Sequence, residues 1–204
     1  MSPSRDEQNE RARVAGVLAA AADRVELGER LPSIPFLTGP GHIAICEFDC
    51  VLWGEFGQVV AALVSTYGDT TVSVIVLDPD VNLYLDNYQQ EAAFEIAGDG
   101  IAQQYEQRMW HEPEGGSGGI LGLGAEVVTL VGSSGAWGIF AQRDWELGCL
   151  FTRDRHGAWQ DTGIPFFDPQ VDFSGLRSPA GWGMPLSEDI VDEFRANVRA
   201  FEAG

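Results

Sequence analysis

Residues 126–152 read EVVTLVGSSGAWGIFAQRDWELGCLFT. Two turn-forming clusters, Gly132-Ser133-Ser134-Gly135 and Gln142-Arg143-Asp144, divide three apolar runs of strand length. Gly, Ser and Asp reverse a chain readily, and β-branched and aromatic residues suit a pleated surface. The stretch predicts an antiparallel meander. After a turn at Arg153-Asp154-Arg155-His156-Gly157, residues 158–161 are expected to return as a fourth short strand, so that the meander covers 126–161.

Upstream, His42-Ile43-Ala44-Ile45-Cys46-Glu47-Phe48-Asp49-Cys50-Val51-Leu52-Trp53 reads as a strand broken by Gly54 and Gly57. Residues 58–67 (QVVAALVSTY) read as a buried helix closed by Gly68, and TTVSVIVL at 70–77 as a central strand. Strand, helix and strand in that order predict a crossover with the two strands parallel. Residues 89–110 lean helical, with Phe94, Ala97, Ile101, Tyr105 and Met109 near one face. Residues 112–124 (EPEGGSGGILGLG) have the composition of a mobile loop.

The ends of the chain are helical in pattern. Over 6–31, Val14, Val17, Leu18, Ala21 and Val25 recur at spacings of three and four, until Gly28 and Pro32 stop the run. Residues 32–41 form a Pro/Gly connector. Residues 163–186 form an irregular segment anchored by Phe166, Phe167, Phe173 and Trp182. Ser187 caps a last helix over 187–201, with Glu188 and Asp189 in its first turn and Ile190, Phe194, Val198 and Phe201 as its buried stripe. The fold expected is one α+β domain over 1–204. It has a mixed sheet with an antiparallel C-terminal meander and amphipathic N- and C-terminal helices packed on it.

Charge bounds the partners. Thirty-one acidic residues against 12 basic ones give a net charge of −19 over 204 residues. Phosphate binding needs a basic footprint, so free nucleic acid and an anionic membrane surface are poor partners, whereas a basic protein is drawn in. Every basic residue is Arg. Without Lys there is no Schiff base and no Lys-bearing phosphate loop. The Arg, Ala and Gly usage is that of a G+C-rich genome. Three Cys, at 46, 50 and 149, make an odd count that predicts no disulfide framework and a reducing compartment. The first residues carry Asp6, Glu7 and Glu10 rather than a basic secretory start, and no apolar run approaches the ~20 residues that cross a bilayer. A cytoplasmic protein is expected.

The candidate chemistry is thin. His42, Cys46 and Cys50 are spaced H-x3-C-x3-C, but residues four apart on a strand lie ~13 Å from each other, too far to share one ion. They read as a buried face. The Cys and His carry no local nucleophile signature. VIVLDPD places Asp78 and Asp80 at the end of a strand, where carboxylates hold Mg²⁺ in many α/β enzymes. The triplet resembles the DxD of haloacid-dehalogenase-type phosphatases and that of some glycosyltransferases. It departs from the phosphatases in having Asn82 where they carry Thr or Val, and in the absence of their Lys. Glu47 with Asp49, Glu112 with Glu114, and Glu188 with Asp189 are further carboxylate pairs, read as surface charge. Trp137, Trp145 and Trp159 fall on successive strands of the expected meander, as core or as a groove. The hairpin at 136–150 resembles Trp-containing hairpins of small bacterial immunity proteins.

The functional expectation is a non-enzymatic interaction module that binds a basic protein, as an inhibitor or immunity-type protein would. Trp137, Arg143, Asp144 and Trp145 are its candidate binding residues. No cofactor is expected. The alternative is a metal-assisted hydrolase or phosphoryl-handling enzyme using Asp78 and Asp80.

Overall fold

The computed structural model describes residues 5–114, 116–171 and 186–204. In chain order its elements are α1 (Arg5–Ala22), β1 (His42–Glu47), α2 (Phe48–Leu52), α3 (Phe56–Tyr67), β2 (Thr71–Asp78), α4 (Val81–Tyr88), β3 (Ala93–Ala97), α5 (Ile101–Trp110), α6 (Leu121–Gly124), β4 (Val127–Gly132), β5 (Trp137–Gln142), β6 (Leu147–Thr152) and α7 (Glu188–Ala203). The chain is α+β. Six strands form one sheet in the order β1-β6-β5-β4-β2-β3, and every neighbouring pair is antiparallel.

The meander is its centre. β4, β5 and β6 are bounded by the two turn clusters, and every residue of the three strands is buried. Both faces are covered, which is why these strands lack the apolar-polar alternation of a half-exposed sheet. On one face Phe36 of the connector packs on Phe151, with ring centroids 5.4 Å apart, and Phe201 of α7 meets the same ring edge-on at 5.4 Å. Gly138 admits Phe36: a Cβ there would come within 2.9 Å of the ring. On the other face, Gly148 makes room for Val51 of α2 and for Cys46, at 2.8 and 2.9 Å from a Cβ placed there. α1 packs on β2 and β3, and α3 packs on α5. Among the described residues no helix is long and apolar enough to cross a membrane.

The expected mixed sheet is corrected to a wholly antiparallel one. β1 and β2 do run in the same direction, but β6, β5 and β4 lie between them, so no parallel pair forms. The meander has two open edges, and each takes one earlier strand. The 12 residues of α3 rise about 18 Å, close to the about 19 Å across four strand spacings. The connection is long enough to pass the whole meander.

Three local expectations also change. Residues 158–161 form a 3-10 turn, not a fourth strand; β6 already has β5 on one side and β1 on the other, so no edge is left to pair. Residues 89–110 do not form a helix throughout. Phe94 and Ile96 pair with Val74 and Val72, and Gly98 and Gly100, at φ of 70° and 78°, separate β3 from α5. The strand begun at His42 stops at Glu47, the last residue with a partner on β6, and α2 follows.

α7 is close to its expected bounds, whereas α1 stops nine residues short of the expected end at Leu31. α1 buries Val14, Val17 and Ala21 and ends at Ala22, and Val25 lies beyond it in a bridge to Phe36. Ser187 Oγ accepts from the Ile190 amide at 3.4 Å, and α7 buries Phe194 and Val198, whereas Ile190 is 39% exposed. Residues 117–124 hold a 3-10 turn and α6, with Leu121 buried. The proposed anchors Phe173 and Trp182 lie outside the described residues. Phe166 packs edge-on against Trp159 at 4.9 Å, and Phe167 forms an antiparallel bridge with Ile45.

Candidate functional site

The register of the sheet collects the carboxylates. Glu47 of β1 stands opposite Leu147 of β6, Leu147 opposite Gln142 of β5, Gln142 opposite Val127 of β4, and Val127 opposite Asp78 of β2. One end of the sheet therefore carries Glu47, Asp49, Asp78, Asp80, Glu126, Asp144 and Glu146. They come from four separate stretches of chain. Asp49, Asp78, Asp80, Glu126 and Asp144 are exposed.

Arg143 lies among them. Its guanidinium lies 3.3 Å from Glu126 Oε1 and 3.8 Å from Asp49 Oδ1. It donates twice to the Ala125 carbonyl, at 3.1 and 2.9 Å, and lies over the Phe48 ring at 4.7 Å. Arg143 is thus held by its own chain. The negative field of this end reaches Tyr84, whose phenol is pushed up to about 12, first by burial and then by Glu126, Tyr88 and Asp78.

The remaining candidates separate by burial. Trp137 is 1% exposed, and its indole N–H donates to Asp69 Oδ2 at 2.6 Å. It is a core residue and offers no surface. Trp145 sits in the 3-10 turn at Arg143–Trp145 and packs against Phe194 at 5.7 Å. Trp159 sits in the later 3-10 turn and is 2% exposed. With Trp145 and Trp159 both off the strands, the three indoles form no cross-strand ladder. Asp144 is exposed and accepts from the Gln142 side chain at 2.7 Å.

Asp78 and Asp80 do lie at the end of a strand, but Asp80 is engaged. Its Oδ1 accepts from the Asn82 amide at 2.8 Å and from the Asn82 side chain at 2.9 Å, capping α4. Among the described residues no group of three or more His, Cys, Asp and Glu is placed to hold a metal ion. The three Cys are free thiols. Burial pushes the Cys46 and Cys149 thiols well up, and burial followed by Glu47 and Asp49 raises Cys50. None has the electropositive setting that makes a nucleophilic thiolate.

Sequence reasoning missed an exposed aromatic stack beside this end. Trp53 follows α2 and is 55% exposed. It stacks on Trp110 at the end of α5, with centroids 5.5 Å apart and planes inclined 30°. Trp110 donates its indole N–H to the Leu52 carbonyl at 2.9 Å and lies against Gly122, where a Cβ would come within 2.8 Å of the ring. Next along the chain, Leu123 is 58% exposed. The signal available was position: Trp53 stands at a helix end directly before a glycine, past the last turn that a core could receive.

Comparison of the chain with protein-family models, with curated proteins and with solved structures gives no match.

Proposed function

We propose that this protein is a non-enzymatic interaction module that binds a basic protein partner, in the manner of an inhibitor or immunity-type protein, on the acidic end of its sheet. One observation carries the reading. Seven carboxylates from four chain segments meet at one end of the sheet, and Arg143, which lies among them, is already engaged by Glu126 and Asp49. The cluster spans about 20 Å at ordinary strand spacing, wider than a Debye length of about 8 Å, so it presents an extended field to a cationic surface. Such fields set encounter rate and partner choice more than raw affinity. Arg143, Asp144 and Trp145 belong to this end. Trp137, opposite Thr152, lies at the other end of β5 and takes no part in it. The metal-assisted alternative through Asp78 and Asp80 has no third ligand among the described residues.

The test compares two variants of equal charge. One neutralises Asp49, Glu126 and Asp144 as Asn, Gln and Asn; the other neutralises Asp23, Asp99 and Asp154 away from this end. Each is immobilised beside the wild type and exposed to lysate of the native host. A single stoichiometric basic protein should be retained by the wild type and the second variant and lost by the first. Equal retention on all three, or repeated captures without a partner, would refute the proposal.

A further inference from the structure

We infer that the Trp53–Trp110 stack is the anchoring platform for that partner, and that it receives an arginine side chain on the outer face of Trp53. The inference rests on the reading of the acidic end as the partner-binding surface. Trp53 turns more than half of its surface to solvent, although an indole is among the most rewarding groups to bury. It is not loose. Trp110 backs it and is itself fixed by the Leu52 carbonyl and seated on Gly122. A rigid aromatic surrounded by polar residues is the usual form of an interface anchor.

The surroundings name the occupant. Asp49 lies one helical turn before Trp53, whose amide donates to the Asp49 carbonyl at 3.3 Å. Glu55 follows two residues later, and Glu106 of α5 lies against Gly54, with Cγ 2.7 Å from a Cβ placed there. All three carboxylates are exposed, residues 47–59 contain no basic residue, and Asp49 has Arg143 of the acidic end 3.8 Å away. An aromatic face with carboxylates beside it suits a guanidinium, which stacks on the ring and bonds to carboxylate in a planar fork. The chain uses the same arrangement twice for its own arginines. Arg108 lies over Phe94 at 4.5 Å and bonds to Glu91 at 2.9 Å, and Arg143 lies over Phe48 at 4.7 Å beside Glu126. Trp53 with Asp49, Glu55 and Glu106 repeats it with the ring face turned outward.

The experiment labels the six Trp with 5-fluorotryptophan and assigns Trp53 by its loss in Trp53→Phe. The probes are a blocked nonapeptide carrying three Arg in a Gly-Ser background, and the same peptide with three Lys, titrated at 150 mM salt. The Trp53 resonance should move saturably with the Arg peptide. Trp53→Ala should weaken binding about three- to fivefold, the size of an exposed cation–π contact, and the Lys peptide should bind correspondingly less well. The triple variant Asp49→Asn, Glu55→Gln, Glu106→Gln should weaken it further. Trp53→Leu controls for any loss of fold in Trp53→Ala. If the peptide binds and is sensitive to Glu126→Gln and Asp144→Asn while Trp53 neither shifts nor matters, the platform is refuted and the acidic-end reading stands. If Trp53 responds and those two substitutions have no effect, the acidic-end reading fails and the platform stands. No binding even at low salt defeats both.

Discussion

Replacing Trp137 tests whether the meander is core or display. Its side chain is 1% exposed, at the first position of β5, opposite Thr152. Truncation to Ala removes a whole buried indole, and such changes cost about 3–5 kcal/mol. Trp137→Phe separates packing from polarity. It keeps a ring in place but deletes the N–H that reaches Asp69 Oδ2 at 2.6 Å over Gly132. A bond to a charged acceptor contributes about 1.5–3 kcal/mol. The lower end applies here, because Asp69 is partly exposed and keeps its bonds from the Ser133 hydroxyl and the Ser134 amide. Asp69→Ala should cost more than Trp137→Phe, since it strands a buried donor and frees both serine donors. A domain of this size holds about 5–15 kcal/mol in total, so Trp137→Ala removes a large fraction of it. Far-UV circular dichroism during urea unfolding is the assay, because it does not depend on the deleted fluorophore. Trp137→Ala unfolding within about 0.5 kcal/mol of the wild type, the range of an unremarkable surface change, would refute the core assignment.

Alkali should destabilise the fold. Tyr84 is pushed up to about 12, and burial raises Tyr105, Cys46 and Cys149, so each group binds its proton more tightly folded than unfolded. Their stabilisation is complete below the unfolded values, about 8.5 for Cys and about 10 for Tyr, and is lost as pH rises beyond them. Urea midpoints should be level in this respect up to about pH 8 and fall from there to pH 10.5, with a shallower fall in Cys46→Ala/Cys149→Ala; a level midpoint throughout would contradict the assignment. Arg143→Ala should cost about 1–2 kcal/mol, since it removes the Phe48 contact and two bonds to the Ala125 carbonyl from a residue about one-third exposed. The same variant should bind the Arg nonapeptide more tightly, because it deletes a cation of the acidic end. Weaker binding by a folded Arg143→Ala would contradict that role.

The parts of the fold legible in the sequence were those set by neighbours in the chain. Gly132-Ser133-Ser134-Gly135 and Gln142-Arg143-Asp144 mark the turns of the meander, Gly68 in a left-handed conformation ends α3, and Ser187 opens α7. Strand order depends on which edges are free after the meander forms. The apolar run TVSVIVL suits a place beside β4 as well as one beside β1, so periodicity alone could not choose. The site was hidden for the same reason. Glu47 with Asp49 and Asp78 with Asp80 each read as local surface charge. Only the register running from Glu47 through Leu147, Gln142 and Val127 to Asp78 brings them to one end with Glu126 and Asp144. Spacing counts residues and so sets Trp145 and Trp159 on strands, whereas a 3-10 turn uses residues without extending a strand.

The edge at β1 also fixes an order of assembly. Ile45 and Phe167 exchange both backbone bonds, at 2.9 and 2.8 Å, and Glu202 of α7 accepts from the Ile43 amide at 3.0 Å. Yet β1 is made before any of its partners. On a ribosome it waits about a hundred residues for β6 and longer for Phe167 and α7. Until then Ile43 and Ile45 belong to an unpaired apolar segment, the kind that recruits other chains. Its protection in that interval falls to local features: the carboxylates Glu47 and Asp49 at its end, and the connector prolines 32, 35 and 40 before it. The carboxylates proposed to face a partner in the finished protein then act first as a guard on the nascent one.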